Sequence, residues 1–181
     1  MKKAAACFSV LVFCFAVFGQ ESRRLTPVQI EIEKQQQRLS SADQEDRRDA
    51  VMKLGSMRLE AASLAAVPAL QDLSPIVRAT TAKAILSIGN EKSAGLLIPL
   101  LKDKDEFVRR EAAYALGLTH SAGATFALSD RLLNDKEAGV RGAAAVALGE
   151  IADEAAVVAL VGTLAPDLSA PSGSKKKTRA E

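Results

Sequence analysis

The chain has 181 residues, which is enough for one domain or for one array of short repeats. Its 24 basic residues nearly balance its 22 acidic ones, and this balance argues against binding to nucleic acid or to an anionic membrane. The two cysteines, Cys7 and Cys14, lie near the N-terminus. The rest of the chain therefore has no thiol for a disulfide or a thiolate metal site.

The first 19 residues have the pattern of a secretory signal peptide. Lys2 and Lys3 give a positive start, and the uncharged apolar run 4–17 follows. The small residue Gly19 suits the position before a signal peptidase cut, so we predict cleavage between Gly19 and Gln20. The mature chain would then have equal numbers of basic and acidic residues, and it would be periplasmic or secreted.

Two alternatives to cleavage remain open. The first is an uncleaved membrane anchor, although the run 4–17 is shorter than the roughly 20 apolar residues that a membrane span needs. The second is lipid attachment at Cys14, which the bulky Phe13 disfavours because that position calls for a small residue. Removal of the signal would leave no integral membrane segment.

A short string ending in arginine recurs four times in the chain. The four arginines are 31, 31 and 32 residues apart. Small and apolar residues follow each arginine at +3, +4 and +7, which places them on one face of a helix. Glycines after these runs predict helix ends, because glycine adopts the left-handed conformation that ends many helices. The strings are Asp46-Arg47, Val77-Arg78, Val108-Arg109 and Val140-Arg141, and the glycines are Gly55, Gly89, Gly117 and Gly149.

Each of these helices, named B helices here, is preceded by a second helix, named an A helix. Thr26 and Pro27 begin the first A helix as a cap and a first-turn proline. Pro68 and Pro99 fall inside two A helices, 31 residues apart, and predict a shared kink. The A helices are predicted at 27–39, 60–71, 93–102, 122–133 and 155–164, and the B helices at 43–55, 75–88, 106–117 and 137–150.

This pattern predicts an all-α protein, an α-solenoid (armadillo/HEAT-like superhelix) of about nine antiparallel helices within residues 20–165. Residues 166–181 contain proline, serine, glycine and three consecutive lysines, a composition typical of a disordered basic tail. The predicted repeats are 27–56, 60–89, 93–117 and 122–150, followed by a terminal helix at 155–164.

The repeats resemble the HEAT-like repeats of the phycobilin lyase family. The resemblance is clearest in residues 100–117 (LLKDKDEFVRREAAYALG) and 140–151 (VRGAAAVALGEI), and it covers about 27–165. It implies a ladder in which an aspartate that closes each A helix pairs with the arginine that opens the B helix. The implied pairs are Asp72 with Arg78, Asp103 with Arg109 and Asn134 with Arg141, and Ser41 faces Arg47 in the first unit.

The function favoured by these observations is a non-catalytic module for protein–protein interaction or scaffolding. The alternative is a relative of the bilin lyases or of the deoxyhypusine hydroxylases, which are oxidoreductases that hold iron with His-Glu motifs. The single histidine, His120, cannot build such a site, so we expect no cofactor and no metal. A third hypothesis is an assembly factor that forms a homo-oligomer through the terminal helix.

The predicted binding surface is the concave side of the solenoid, which the B helices line. Residues at +1 and +5 from each arginine point away from the core, and tyrosine and arginine are favoured interface anchors. The alternative is an ordinary solvated face. The predicted contacts with another protein are Met52, Lys83, Arg110, Tyr114 and Val146.

Overall fold

A computed structural model of the chain describes residues 25–164. The predicted signal peptide and the predicted basic tail lie outside these residues and stay predictions. The chain divides into two units between Ile30 and Glu31, inside its first helix. Every regular element of residues 25–164 is helical, which confirms the predicted all-α repeat fold. None of the described helices combines the length and the apolar character that a membrane crossing requires.

The helices alternate between the two predicted series. The A helices are α1 (Pro27–Arg38), α3 (Glu60–Ala66), α5 (Asn90–Leu97), α7 (Thr125–Asn134) and α9 (Glu154–Leu164). The B helices are α2 (Gln44–Ser56), α4 (Pro75–Ala84), α6 (Glu106–Thr119) and α8 (Ala138–Ile151). Short 3-10 segments lie at Val67–Gln71, Leu86–Ile88, Ile98–Lys102 and Ala122–Ala124. The third A helix begins three residues before its predicted start, because Gly89 rather than a later residue forms its N-cap.

Both interior prolines mark a change of helix type. α3 ends at Ala66, and a 3-10 segment with Pro68 in its first turn continues the chain. Pro99 stands at the same point after α5. Proline lacks the N–H of an α-helical hydrogen bond and its ring crowds the preceding turn, so a tighter 3-10 turn replaces the α-helix there. The shared irregularity expected at these two prolines is present.

The apolar residues after each arginine form the core between the B helices. α2 packs on α4, α4 on α6, and α6 on α8. The leucine or isoleucine at +7 is fully buried in each of the four repeats, and the small residues at +3 and +4 let the helices approach. The +7 residues are Leu54, Ile85, Leu116 and Leu148.

The glycines after the B-helix runs do not end those helices, so this prediction was wrong for three of the four. Gly89 alone has a positive φ, of 113°. The other glycines lie inside their helices, and the left-handed position comes three residues after each of them. The residues in that conformation are Arg58 (φ 52°), His120 (φ 49°) and Ala152 (φ 54°).

The arginine ladder joins successive repeats, whereas the predicted pairs lay within single repeats and were wrong. Each arginine donates through Nε and Nη2 to both carboxylate oxygens of the aspartate in the following A–B loop, a bidentate geometry. The distances are 2.7 and 2.8 Å for Arg47 with Asp72, 2.7 and 2.8 Å for Arg78 with Asp103, and 2.8 and 2.9 Å for Arg109 with Asp135.

The two edges of the guanidinium explain this direction. Arg78 Nη1 donates to the carbonyl oxygens of Asp72 and Leu73, at 2.8 and 3.2 Å, in the loop of its own repeat. The fork formed by Nε and Nη2 therefore faces the next repeat. There, Asp103 Oδ1 also accepts from the backbone N–H of Asp105 at 2.9 Å, which holds its carboxylate toward the arginine. Each loop thus binds one arginine through carbonyls and another through a carboxylate.

Asn134 is not a member of the ladder. Its Nδ2 donates to Asp130 Oδ1 at 2.9 Å, and Asp135, the next residue, takes the ladder position. Arg141 Nη1 donates to the carbonyl oxygens of Asp135 and Lys136, at 2.9 and 3.1 Å, as the other arginines do in their own loops. Within residues 25–164, Arg141 makes no ion pair.

The ladder lowers the pKa values of its aspartates. Hydrogen bonds from Arg47 lower the pKa of Asp72. Burial alone would raise the pKa values of Asp103 and Asp135, but hydrogen bonds from their arginines and from backbone N–H groups outweigh burial and lower them as well. The three carboxylates are therefore ionised at neutral pH, as a charge-assisted ladder requires.

Candidate protein-binding site

The five predicted contact residues lie on the solvent side of the B helices. Met52 and Val146 are about half exposed, at 51 % and 53 %, and Tyr114 is 39 % exposed. The side chains of Lys83 and Arg110 are also largely accessible. Their spacing from the ladder arginines accounts for this, because +1 and +5 lie on the helix side opposite +3, +4 and +7. The structure does not test whether they bind a partner.

A cavity of about 600 Å³ lies across α2, α4 and α6 and contains two of these five residues, Met52 and Lys83. A volume of this size is typical of sites that receive a ligand or a side-chain cluster. The remaining lining residues are Arg48, Gly55, Ser56, Arg58, Ile76, Ala79, Thr80, Ala84, Phe107 and Glu111.

Basic groups outnumber acidic ones in this cavity. Its cations are Arg48, Arg58 and Lys83, and its single carboxylate is Glu111. Glu111 already has a partner, because Lys83 Nζ lies 3.1 Å from its Oε2. Arg110 Nε approaches the other carboxylate oxygen of Glu111 at 3.6 Å. The cavity therefore combines apolar walls with a surplus of positive charge.

Arg110 lies beside the cavity rather than in its lining. Its guanidinium carbon stands 5.1 Å from the centre of the Phe107 ring, within the range of a cation–π contact. Tyr114 and Val146 lie further along the B-helix series and do not line this cavity. The five predicted residues thus fall into a group at α2 and α4, with Arg110 at its edge, and two exposed residues on α6 and α8.

The sequence analysis missed three groups of the cavity: Arg58, Phe107 and Glu111. Phe107 and Ile76 both stand two residues before a ladder arginine, so their shared register was a signal that could have identified them. Arg58 enters the cavity because the chain turns there with a positive φ after α2. That turn follows from the length of α2, which the glycine at 55 had suggested to be shorter.

A second apolar surface lies between α7 and α9. It forms a groove of about 460 Å³ whose lining includes Phe126, Leu133 and Val158. Phe126 is 87 % exposed and Val158 81 % exposed. Large exposed apolar side chains that cluster in this way are unusual on a monomer surface. The homo-oligomer through the terminal helix stays a prediction, and this groove is where it would form.

His120 joins two helix ends. It has the left-handed conformation after α6, and its Nδ1 lies 2.8 Å from the carbonyl oxygen of Glu150 in α8. A carbonyl oxygen only accepts, so this contact requires the proton on Nδ1. Within residues 25–164, no three His, Cys, Asp or Glu side chains are grouped so that they could hold a metal ion.

Solved structures of helical repeat proteins are similar to this chain. The complex of CpcE and CpcF of phycocyanin lyase from Nostoc sp. PCC7120 matches with a TM-score of 0.56 and 27 % identity, over 75 % of this chain and 57 % of that chain. An engineered protein matches with a TM-score of 0.52 and 24 % identity, over 73 % of this chain and 67 % of its own. The chain therefore spans little more than half the length of the lyase chain, and the second likeness shows the fold alone.

The sequence also matches a family profile. No curated protein matches it significantly. The profile described as HEAT repeats matches residues 32–117, 63–149 and 97–169, so that the overlapping matches cover most of the chain. This agrees with the helical pairs and the ladder of residues 25–164, and it confirms the resemblance seen in the sequence. The chain belongs to the family of HEAT-repeat proteins.

Proposed function

We propose that this protein is a non-catalytic module that binds a segment of another protein on its B-helix face. The observation that carries the proposal is the cavity of about 600 Å³ across α2, α4 and α6. Three separate repeats contribute to it, so its form depends on the stack and not on any single helix. Stacked helical repeats commonly bind their partners along such continuous surfaces.

The lining indicates the chemistry of the partner. Met52, Ile76 and Phe107 offer apolar and aromatic surface, which is favoured at binding hot spots. Arg48, Arg58 and Lys83 surround that surface with positive charge, and only Glu111 opposes them. The partner segment that fits is therefore an apolar side chain flanked by carboxylates. Nucleic acid is a poorer fit, because the charges of the whole chain nearly balance.

A neighbouring structure supports a protein partner. The phycocyanin lyase structure from Nostoc sp. PCC7120 is a complex of two proteins, CpcE and CpcF. For the present chain we propose only that its partner is a protein. We further propose that binding takes place outside the cytoplasm, since residues 1–19 have the pattern of a signal peptide. Mass spectrometry of the exported protein should find Gln20 as its first residue, and an intact Met1 there would contradict cleavage.

The same neighbour supports one alternative, in which this chain is a subunit of a lyase-related enzyme. The noncatalytic proposal is preferred because the cavity is lined by charges that are paired or exposed and by apolar side chains, with no nucleophile held next to a base. A purified chain that carries a covalently or tightly bound pigment would favour the alternative, and absorption spectroscopy detects such a pigment.

The test compares three baits in a pull-down from the exported fraction. Met52→Asp places a carboxylate in the cavity, and Leu64→Asp is the matched control on α3, because the two side chains are almost equally exposed, at 51 % and 50 %. We expect Met52→Asp to retain at least ~10-fold less of the bound protein than the wild type, a change that corresponds to about 1.4 kcal/mol of binding free energy. Leu64→Asp should retain a normal amount.

Two results would contradict the proposal. Equal retention by all three baits would move the binding site away from the cavity. Loss with Leu64→Asp and not with Met52→Asp would place it on the A helices. Circular dichroism of each bait must show equal helicity, since a partly unfolded bait loses its partner for a reason unrelated to the cavity.

A further inference from the structure

We infer that the fork of Arg141 is a carboxylate-binding site and that its occupant is Asp167 of the same chain. Asp167 lies outside the described residues, so the inference rests on Arg141 and on the regularity of the ladder before it. It does not depend on the proposed function. It assigns a docking position to residues 165–169, which follow α9 directly in the sequence.

The geometry of Arg141 matches that of the three arginines with observed partners. In each of them, Nη1 donates to the two carbonyl oxygens five and six residues earlier, as for Arg109 with Lys104 and Asp103. Arg141 makes the same two bonds, at 2.9 and 3.1 Å. These bonds orient the guanidinium, so its Nε and Nη2 point where the next loop of the stack would lie. The site is therefore built before its ligand arrives.

The spacing along the sequence identifies the occupant. The observed arginine-to-aspartate steps are 25, 25 and 26 residues. Asp167 follows Arg141 by 26 residues. The local sequence agrees as well, because Asp167-Leu168-Ser169 repeats Asp72-Leu73-Ser74, the loop that receives Arg47. The match to the HEAT-repeat profile also extends to residue 169.

The same register shows that the ladder of residues 1–181 stops there. Each ladder aspartate is followed six residues later by the next arginine, and the residue six after Asp167 is Gly173. The core positions that would come next hold Lys176 and Lys177. These residues encode a terminal loop with its aspartate and no further B helix of the repeat pattern. The aspartate thus closes the ladder against α8.

The experiment is an NMR titration of the side-chain carboxyl of Asp167 in the full chain. An isolated aspartate titrates near pH 3.9, and pairing with a guanidinium lowers the pKa. We expect Asp167 to titrate below that value in the wild type and to return to it in Arg141→Met. Arg48→Met is the control, because it removes an exposed arginine far along the sequence from the site and should leave the Asp167 pKa unchanged.

A second readout avoids any change in the described helices. In the observed rungs, the aspartate Oδ1 also accepts from the backbone N–H two residues later, at 2.8 Å for Ser74 and 3.0 Å for Glu137. Exchange of the Ser169 N–H should therefore be slowed by at least ~10-fold in the wild type and lose this protection in Asp167→Ala. An ordinary Asp167 pKa in the wild type, a low pKa that persists in Arg141→Met, or an unprotected Ser169 N–H would each overturn the inference.

Discussion

Replacing Asp135 by alanine is expected to lower the free energy of unfolding by about 3–5 kcal/mol, because the change leaves the guanidinium of Arg109 buried without its carboxylate. The side chains of Arg109 and Asp135 are only 7 % and 2 % exposed, which makes this the most buried rung of the ladder. The same change removes the acceptor for the backbone N–H of Glu137. Urea unfolding followed by circular dichroism at neutral pH measures the loss.

The control for this prediction is an exposed pair of the same chemical type. Glu45 pairs with Arg48 at 2.7 Å, and both side chains are more than one-third exposed. Removing the carboxylate by Glu45→Ala should cost at most about 1 kcal/mol, since water replaces it readily. If Asp135→Ala were as mild as Glu45→Ala, the ladder would contribute no more than a surface ion pair, and its role in joining repeats would be refuted.

Gly117→Ala is expected to destabilise the protein by about 1–3 kcal/mol, because overpacking a close helix contact forces a backbone shift. A Cβ at Gly117 of α6 would lie 2.9 Å from the Cα of Ala147 in α8. That neighbour is backbone and cannot swing aside. The glycine therefore determines how closely these two helices approach, and thermal unfolding should show a lower Tm for the variant.

Gly149 provides a matched control because it stands at the same position relative to its ladder arginine, eight residues on, in α8. A Cβ there meets no atom of residues 25–164 within 4 Å. Gly149→Ala should therefore be neutral or stabilise by up to about 1 kcal/mol, since alanine is the better helix former. A destabilisation of both variants by equal amounts would show that the glycines matter for a reason other than helix contact.

The positions of the helices and of the core followed from the sequence because both depend on local periodicity. Residues at +3, +4 and +7 from an arginine share a helix face whatever the helix packs against, so Leu54 and Leu116 could be identified as buried residues. The change of helix type at Pro68 and Pro99 followed in the same way from the chemistry of proline. These features require no knowledge of which repeats are neighbours.

The ladder partners could not be obtained by that reasoning. Arg78 has Asp72 six residues before it and Asp103 twenty-five residues after it, and spacing alone favours the nearer one. Only the stacked structure shows that the loop carbonyls occupy one edge of the guanidinium and direct the other edge to the next repeat. The role of Gly117 was missed for the same reason, because the alanine that it accommodates lies thirty residues away.

The candidate site was predicted in part. The exposed stripe on the B helices followed from helix geometry, and Met52 and Lys83 belong to the cavity there. The cavity itself depends on how three helices stack and on the left-handed turn at Arg58, which sequence periodicity does not describe. Tyr114, favoured for its residue type, is exposed outside the lining of this cavity.

The most direct test of the central claim is site-specific photo-cross-linking in the cells that make this protein. A benzoylphenylalanine placed at Met52 reports on the cavity, and the same group at Leu64 reports on the A-helix side of the stack. We predict one discrete covalent product between the chain and a second protein from position 52, diminished by Lys83→Glu, and none from position 64. A product from position 64 alone, or a product from position 52 that contains only copies of this chain, would contradict the assignment of the B-helix face as the binding site for another protein.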